Sequence, residues 1–180
     1  MIDRLKKAHT FAVAAHGDQK RLFSGKPYIV HPEETAQLLW EVTSGKATVD
    51  DYIAAILHDV IEDTDVALIE IKRHFGDVVM NLVDELTTNQ KQKEKLGKAV
   101  YLTEKINNMS SRALTIKLCD RLSNVVALDQ DHAPKAFVKK YVQETTYILN
   151  GLTRPLNDDQ KYLTDRLKKM LLYLTLNRGL

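Results

Sequence analysis

Apolar positions recur at three- and four-residue spacing through most of the chain, a period that predicts helices rather than strands. Between Asp3 and Ala15, the residues Leu5, Ala8, Phe11, Ala12 and Ala15 share one face. The pattern fades at His16-Gly17-Asp18, and residues 19–28 hold the densest turn chemistry in the sequence, so a loop is expected there. Helical spacing resumes at His31-Pro32-Glu33-Glu34. Pro32 suits a first helical position, the acidic pair suits the positive end of the helix dipole, and His31 before proline belongs on the entry turn. This helix is expected to run to about Thr43. A strongly apolar helix follows, capped by Asp50 or Asp51 and reaching about Asp63. Further helices are expected over 66–74 and 77–86, divided at Phe75-Gly76, and over 110–128 and 134–149. The lysine-rich stretch 87–98 reads as a mobile surface segment before or within another helix. In the last helix, 158–176, Leu163, Leu167, Met170, Leu171 and Leu174 form a stripe that leaves Arg166, Lys168 and Lys169 outside it. Core packing is its expected role, with a membrane-surface helix as the other reading.

Composition narrows the class without naming a function. Seven glycines and four prolines in 180 residues are too few for a sandwich or barrel with many turns. An all-α, compact single-domain bundle over residues 1–180 is expected. No apolar run approaches the ~20 residues that span a bilayer, and the first residues lead straight into a mixed segment with no secretory signal. The one cysteine, Cys119, cannot make an internal disulfide. These features point to the cytoplasm. A net charge of +2 argues against a nucleic acid polymer as partner but leaves room for a small anionic ligand.

The chemistry lies in polar residues set into apolar helices. His58 and Glu62 are four apart, as are Asp59 and Asp63, so one imidazole and three carboxylates make a strip on a helix otherwise built from Ile53, Ala54, Ile56, Leu57, Val60 and Ile61. Buried carboxylates are costly unless they are paired or hold a metal. Asp120 and Asn124 share a side of the 110–128 helix, although Lys117 and Arg121 could simply neutralise Asp120 on an exposed face. With His31 added, the set His31, His58, Asp59 and Asp120 offers two nitrogens and two carboxylate oxygens, which suits manganese, iron, zinc or magnesium. His9, His16, His74 and His132 lack such context and read as structural or surface residues.

The adjacent His58-Asp59, with an upstream histidine and a downstream aspartate, resembles the HD superfamily of metal-dependent phosphohydrolases. Five blocks in order carry the likeness further: Gln19-Lys20-Arg21, residues 24–32, residues 57–64, Phe75-Gly76 and residues 117–124. Together they resemble the hydrolase domain of RelA/SpoT homologues, as found in stand-alone small alarmone hydrolases. The motif-bearing core covers about 11–128, with packing helices over about 134–176. The resemblance implies an HD-type bundle with a central metal site and no room for the family's synthetase domain. It also implies an enzyme removing the 3′-pyrophosphate of ppGpp or pppGpp to end the stringent-response signal, with one divalent metal, typically Mn2+. The implied metal ligands are His31, His58, Asp59 and Asp120, and the implied catalytic pair is Glu62 and Asp63. Arg21, Ser24, Lys26, Tyr28 and Asn124 match substrate-binding positions. Leu22, Ser123 and Val125-Val126-Ala127 depart from the family pattern, which bears on guanosine recognition. The alternatives are a phosphohydrolase of another nucleotide, such as an adenosine alarmone or an NADPH-like molecule, and a non-catalytic alarmone-binding module.

Overall fold

The structure, a computed structural model, describes residues 2–180. Among these residues the regular elements are helices: α1 (Ile2–His16), α2 (Val30–Thr43), α3 (Val49–Leu57), α4 (Val60–Asp63), α5 (Leu68–Phe75), α6 (Asp77–Leu86), α7 (Gln90–Leu96), α8 (Lys98–Asn108), α9 (Ser111–Gln130), α10 (Lys135–Asn150) and α11 (Asp158–Arg178). Extended pairing among them is confined to one bridge, Lys20 with Pro27, at the neck of a small hairpin.

The long helix α9 is the axis of the bundle. It packs against α2 and α11 and also touches α3, α6 and α10. Leu114, Ile116, Leu118, Leu122 and Val125 are buried on several of its faces. Fully burying such a side chain stabilises the fold by ~1.5–3 kcal/mol. Asp120 and Ser123 are buried among these apolar residues and stand out, whereas Lys117, Arg121 and Asn124 on the same helix are only half-buried. Helix α3 is buried continuously from Asp51 to Leu57.

Its start differs from the sequence expectation. Thr48 is the cap, and Asp51 is the reciprocal partner three residues on, rather than the cap itself. The Thr48 hydroxyl accepts the Asp51 amide, and Asp51 accepts the Thr48 amide. Asp51 also receives the Arg112 Nε donor at 2.6 Å, tying α3 to the start of α9. The expected helix to Asp63 is broken as well: it ends at Leu57 and resumes as α4 after His58 and Asp59.

Within the lysine-rich stretch, expected as a surface segment before or within another helix, residues 90–96 form the short helix α7, none of whose side chains is buried. Asn89 caps it by accepting the Gln92 amide, and the Asn89 amide donates to the Tyr101 hydroxyl on α8. Helix α8, which the sequence reading did not delimit, buries Tyr101, Leu102 and Ile106. Helix α11 buries Leu163, Leu167, Leu171 and Leu174 against the bundle, with Met170 half-buried at the edge. Packing on α9 gives it the core role, and no helix among the described residues is long and apolar enough to cross a membrane.

Candidate metal centre and adjoining cavity

Three helical regions deliver the metal-ligand candidates. His31 comes from the first turn of α2, His58 and Asp59 from the break between α3 and α4, and Asp120 from mid-α9. His31, His58 and Asp120 each offer one ligand atom, and these atoms all lie within 4.8 Å of one another. All three residues are buried, at 1%, 1% and 5% exposure. The two Nε2 atoms are 3.2 Å apart. Asp120 Oδ1 lies 3.1 Å from His31 Nε2. Asp59 flanks the trio, with Oδ2 3.0 Å from His58 Nε2 and 3.5 Å from His31 Nε2.

The outer hydrogen bonds define which atoms face inward. His58 Nδ1 is 2.8 Å from the Ala55 carbonyl, which can only accept, so Nδ1 carries a proton and Nε2 is turned to the cluster. His31 Nδ1 is 3.0 Å from Ser123 Oγ. Asp120 Oδ1 accepts from Asn124 Nδ2 at 2.7 Å, while Oδ2 pairs with Lys117 Nζ at 2.8 Å.

The converging carboxylates and ring nitrogens create a strongly cation-seeking spot. Burial alone would lower the His58 imidazolium, but the Asp59 and Asp120 carboxylates outweigh it and hold its pKa up at about 10. Burial likewise opposes ionisation of Asp120 and Asp59. For Asp120 the Lys117 ammonium leads the compensation, and for Asp59 the imidazolium of His58 does, so both carboxyls stay below the usual range. A field that holds a proton on His58 also favours a metal cation. The donor set therefore fits a divalent ion bound by imidazole and carboxylate.

The acidic pair divides. Asp63 stands beside Asp59 and Tyr28, and partial burial with the Asp59 charge pushes its pKa up. Glu62 accepts the Thr88 amide at 2.6 Å through one carboxylate oxygen. Tyr28 donates to Asp59 Oδ2 at 2.7 Å and stays protonated because burial and the neighbouring Asp59 and Asp63 raise its pKa. Its ring rests on His16, at 4.7 Å between centroids.

Tyr28 and Asn124 also line a cavity of about 200 Å3 shared with Arg21, Phe23, Phe137 and Tyr141. Arg21 Nη2 donates to Asn124 Oδ1 at 3.1 Å, so cavity and cluster are joined through Arg21, Asn124 and Asp120. The hairpin holding Arg21 closes through Arg21 N to Lys26 O at 2.8 Å, with Gly25 at φ 68°, a conformation that favours glycine. Ser24 Oγ is buried without a hydrogen-bond partner. Lys26 is exposed and lies outside the cavity lining.

Sequence reasoning passed over several contributors. His16, read as a structural or surface residue, is structural: it is buried beneath Tyr28 and bonded to Gln19 at 2.9 Å. Phe137 and Tyr141 on α10 close the cavity, Phe137 edge-on to Phe23 at 4.9 Å. Their four-residue spacing was a visible signal, but nothing local tied it to the hairpin.

The fold and this centre define a class: an HD domain family model matches residues 8–157, and the chain belongs to that family. Among relatives, it is 33% identical over 171 residues to human guanosine-3′,5′-bis(diphosphate) 3′-pyrophosphohydrolase MESH1, covering 93% of this chain and 92% of the human one. It is 37% identical over 163 residues to the Aquifex aeolicus protein named guanosine-3′,5′-bis(diphosphate) 3′-pyrophosphohydrolase, covering 86% of this chain but spanning only 22% of that protein's length. A solved structure described as a metazoan ortholog of SpoT that hydrolyzes ppGpp superimposes with a TM-score of 0.80 at 26% identity, over 98% of this chain and 96% of the other.

Proposed function

We propose that this chain is a metal-dependent 3′-pyrophosphohydrolase of ppGpp and pppGpp, yielding GDP or GTP and pyrophosphate and so ending the stringent-response signal. Residues 1–180 act in this reading as one HD-type phosphohydrolase domain in the cytoplasm, on a small nucleotide rather than a nucleic acid polymer or a membrane. The observation that carries it is the junction of the His31–His58–Asp120 cluster with the Arg21 cavity, through Tyr28 and Asn124. The relatives named for this activity support the same choice of substrate.

His31, His58, Asp59 and Asp120 would hold one divalent ion, with Mn2+ the proposed occupant. When bound, such an ion supplies positive charge against phosphoryl oxygens and makes water more acidic. The chain's own residues supply the rest. Asp63, with its raised affinity for protons, is placed to take the proton of the attacking water, a role shared with Glu62. Water's oxygen bonds to phosphorus, the bond from phosphorus to the ribose 3′ oxygen breaks, and that oxygen gains a proton. Arg21 offers a guanidinium to the polyphosphate, which prefers such charge-assisted bonds. The unpartnered Ser24 hydroxyl is buried and outside the cavity lining, so it would serve the same ligand only once the hairpin opens, and Lys26 adds positive charge from the exposed side of the hairpin. Tyr28 holds Asp59, and Asn124 holds Asp120, at the boundary between chemistry and recognition.

The test is an assay of chelator-treated protein with ppGpp, adding back Mn2+, Mg2+, Zn2+ or Fe2+ and separating products by ion-exchange chromatography. Equimolar GDP and pyrophosphate, formed only with added metal and fastest with Mn2+, is the expected result. Turnover of an adenosine alarmone or NADPH with none of ppGpp would overturn the substrate. Tight ppGpp binding without metal-dependent turnover would make the protein a binding module.

A further inference from the structure

Behind His31, on the side away from Asp120, a second set of contacts runs across from α9 to α2. Ser123 Oγ lies 3.0 Å from His31 Nδ1 and 2.8 Å from Glu34 Oε2. A carboxylate only accepts hydrogen bonds, so the single hydroxyl proton of Ser123 goes to Glu34. The hydroxyl oxygen is then left to accept, and the His31 Nδ1–H is the donor that meets it. A serine inside a helix commonly returns its hydroxyl to the carbonyl four residues back. Ser123 instead sends it to the neighbouring helix. Glu34, Ser123, Glu41 and Arg166 also line a cavity of about 260 Å3, which opens beside this contact rather than beside the metal cluster.

We propose that Ser123 and Glu34 are positioning residues that hold His31 in its Nδ1–H tautomer, with the Nε2 lone pair aimed at the cluster. This rests on reading the cluster as a metal centre. The direction of the chain Glu34 to Ser123 to His31 follows from donor and acceptor chemistry alone. On His58 a backbone carbonyl fixes the Nδ1 proton and turns Nε2 to the cluster, so the two rings reach one orientation by different means. A backbone acceptor cannot be removed by substitution, whereas the His31 support depends on two side chains. Outer partners of this kind typically change metal affinity by 10–100-fold when lost.

The test measures Mn2+ affinity by equilibrium dialysis and, in protein loaded with diamagnetic Zn2+, the His31 tautomer by NMR of its ring nitrogens, both without nucleotide. Ser123→Ala should weaken Mn2+ binding by ~10–100-fold and shift the tautomer. Ser123→Thr, which keeps the hydroxyl, should restore both, and Glu34→Gln should give a smaller loss. If Ser123→Ala does not fold, Glu34→Gln and the wild-type tautomer decide the matter. A wild-type His31 whose Nδ1 carries no proton would overturn the proposal. So would a Ser123→Ala protein that melts earlier but binds Mn2+ like wild type. Because no nucleotide is present, failure of ppGpp hydrolysis is a separate outcome and leaves the tautomer result standing.

Discussion

His31 and Asp120 project from helices, and His58 from the break between α3 and α4, into the core, and each is at most 5% exposed, whereas Arg21 and Phe23 ride on a hairpin and Phe137 is 40% exposed on α10. The first group is held by packing on all sides and by fixed acceptors such as the Ala55 carbonyl. The second is held by a few contacts: Arg21 to Asn124 and Phe23 against Phe137. The contrast teaches where each kind of change is tolerated. A buried cluster of charges must be complete, because one missing partner leaves the others desolvated and unpaired. A half-open cavity can exchange a wall residue at modest cost, since water replaces the lost contact.

The sharpest way to break this contrast is Asp120→Ala. It should cost more activity than the ~100-fold typical of an outer partner, and abolish the rise in melting temperature that bound Mn2+ produces. Retained metal-dependent stabilisation in that variant would remove Asp120 from the ligand set. Arg21→Ala should act on the other side. Loss of a charged hydrogen bond worth ~1.5–3 kcal/mol predicts a rise in KM of about 10–100-fold for ppGpp, with Mn2+ affinity unchanged. Steady-state kinetics and dialysis on one preparation separate the two effects. Phe137→Ala should raise KM less, by about 5–10-fold, the low end of what a base–aromatic contact contributes. An equal fall in Mn2+ affinity would show that cavity and cluster are not separable.

The smallest expected effect lies outside both regions. Lys105 donates to the Thr87 carbonyl, and burial together with the nearby Lys117 charge lowers its pKa to about 8. Between about pH 8 and the ordinary lysine value of ~10.4, the unfolded chain then binds more protons at this position than the folded one. Wild-type stability relative to Lys105→Met should therefore rise across that window, as read by urea unfolding at several pH values. A difference that stays flat would show that the folded-state shift is absent.

What was legible in the sequence tracks the strength of local signals. Leu163, Leu167, Leu171 and Leu174 announce α11 because their stripe repeats over many turns. His58 and Asp120 stand out because each interrupts an apolar run. The bounds of helix α7 were not legible, since it buries nothing and so leaves no apolar period to read. Thr48 lost the cap assignment to its acidic neighbours, although the Thr-x-x-Asp spacing was present. Phe137 and Tyr141 belong to the cavity only through a contact distant in sequence, which no window around either residue contains. Ser123 reads as a departure from a family pattern, and its bond to Glu34 emerges only when α9 lies against α2.

The interruption between α3 and α4 has a consequence for anyone who would stabilise this protein. Successive residues of an unbroken helix point about 100° apart, so neighbours in sequence cannot both face one small target. Asp59, at φ −100° and ψ −7°, departs from ideal helical angles at the spot where two neighbours converge. Redesign for regularity would favour a straight helix from Val49 to Asp63 and would gain backbone hydrogen bonds. It would also turn Asp59 away from His58, trading the pairing of adjacent side chains for stability.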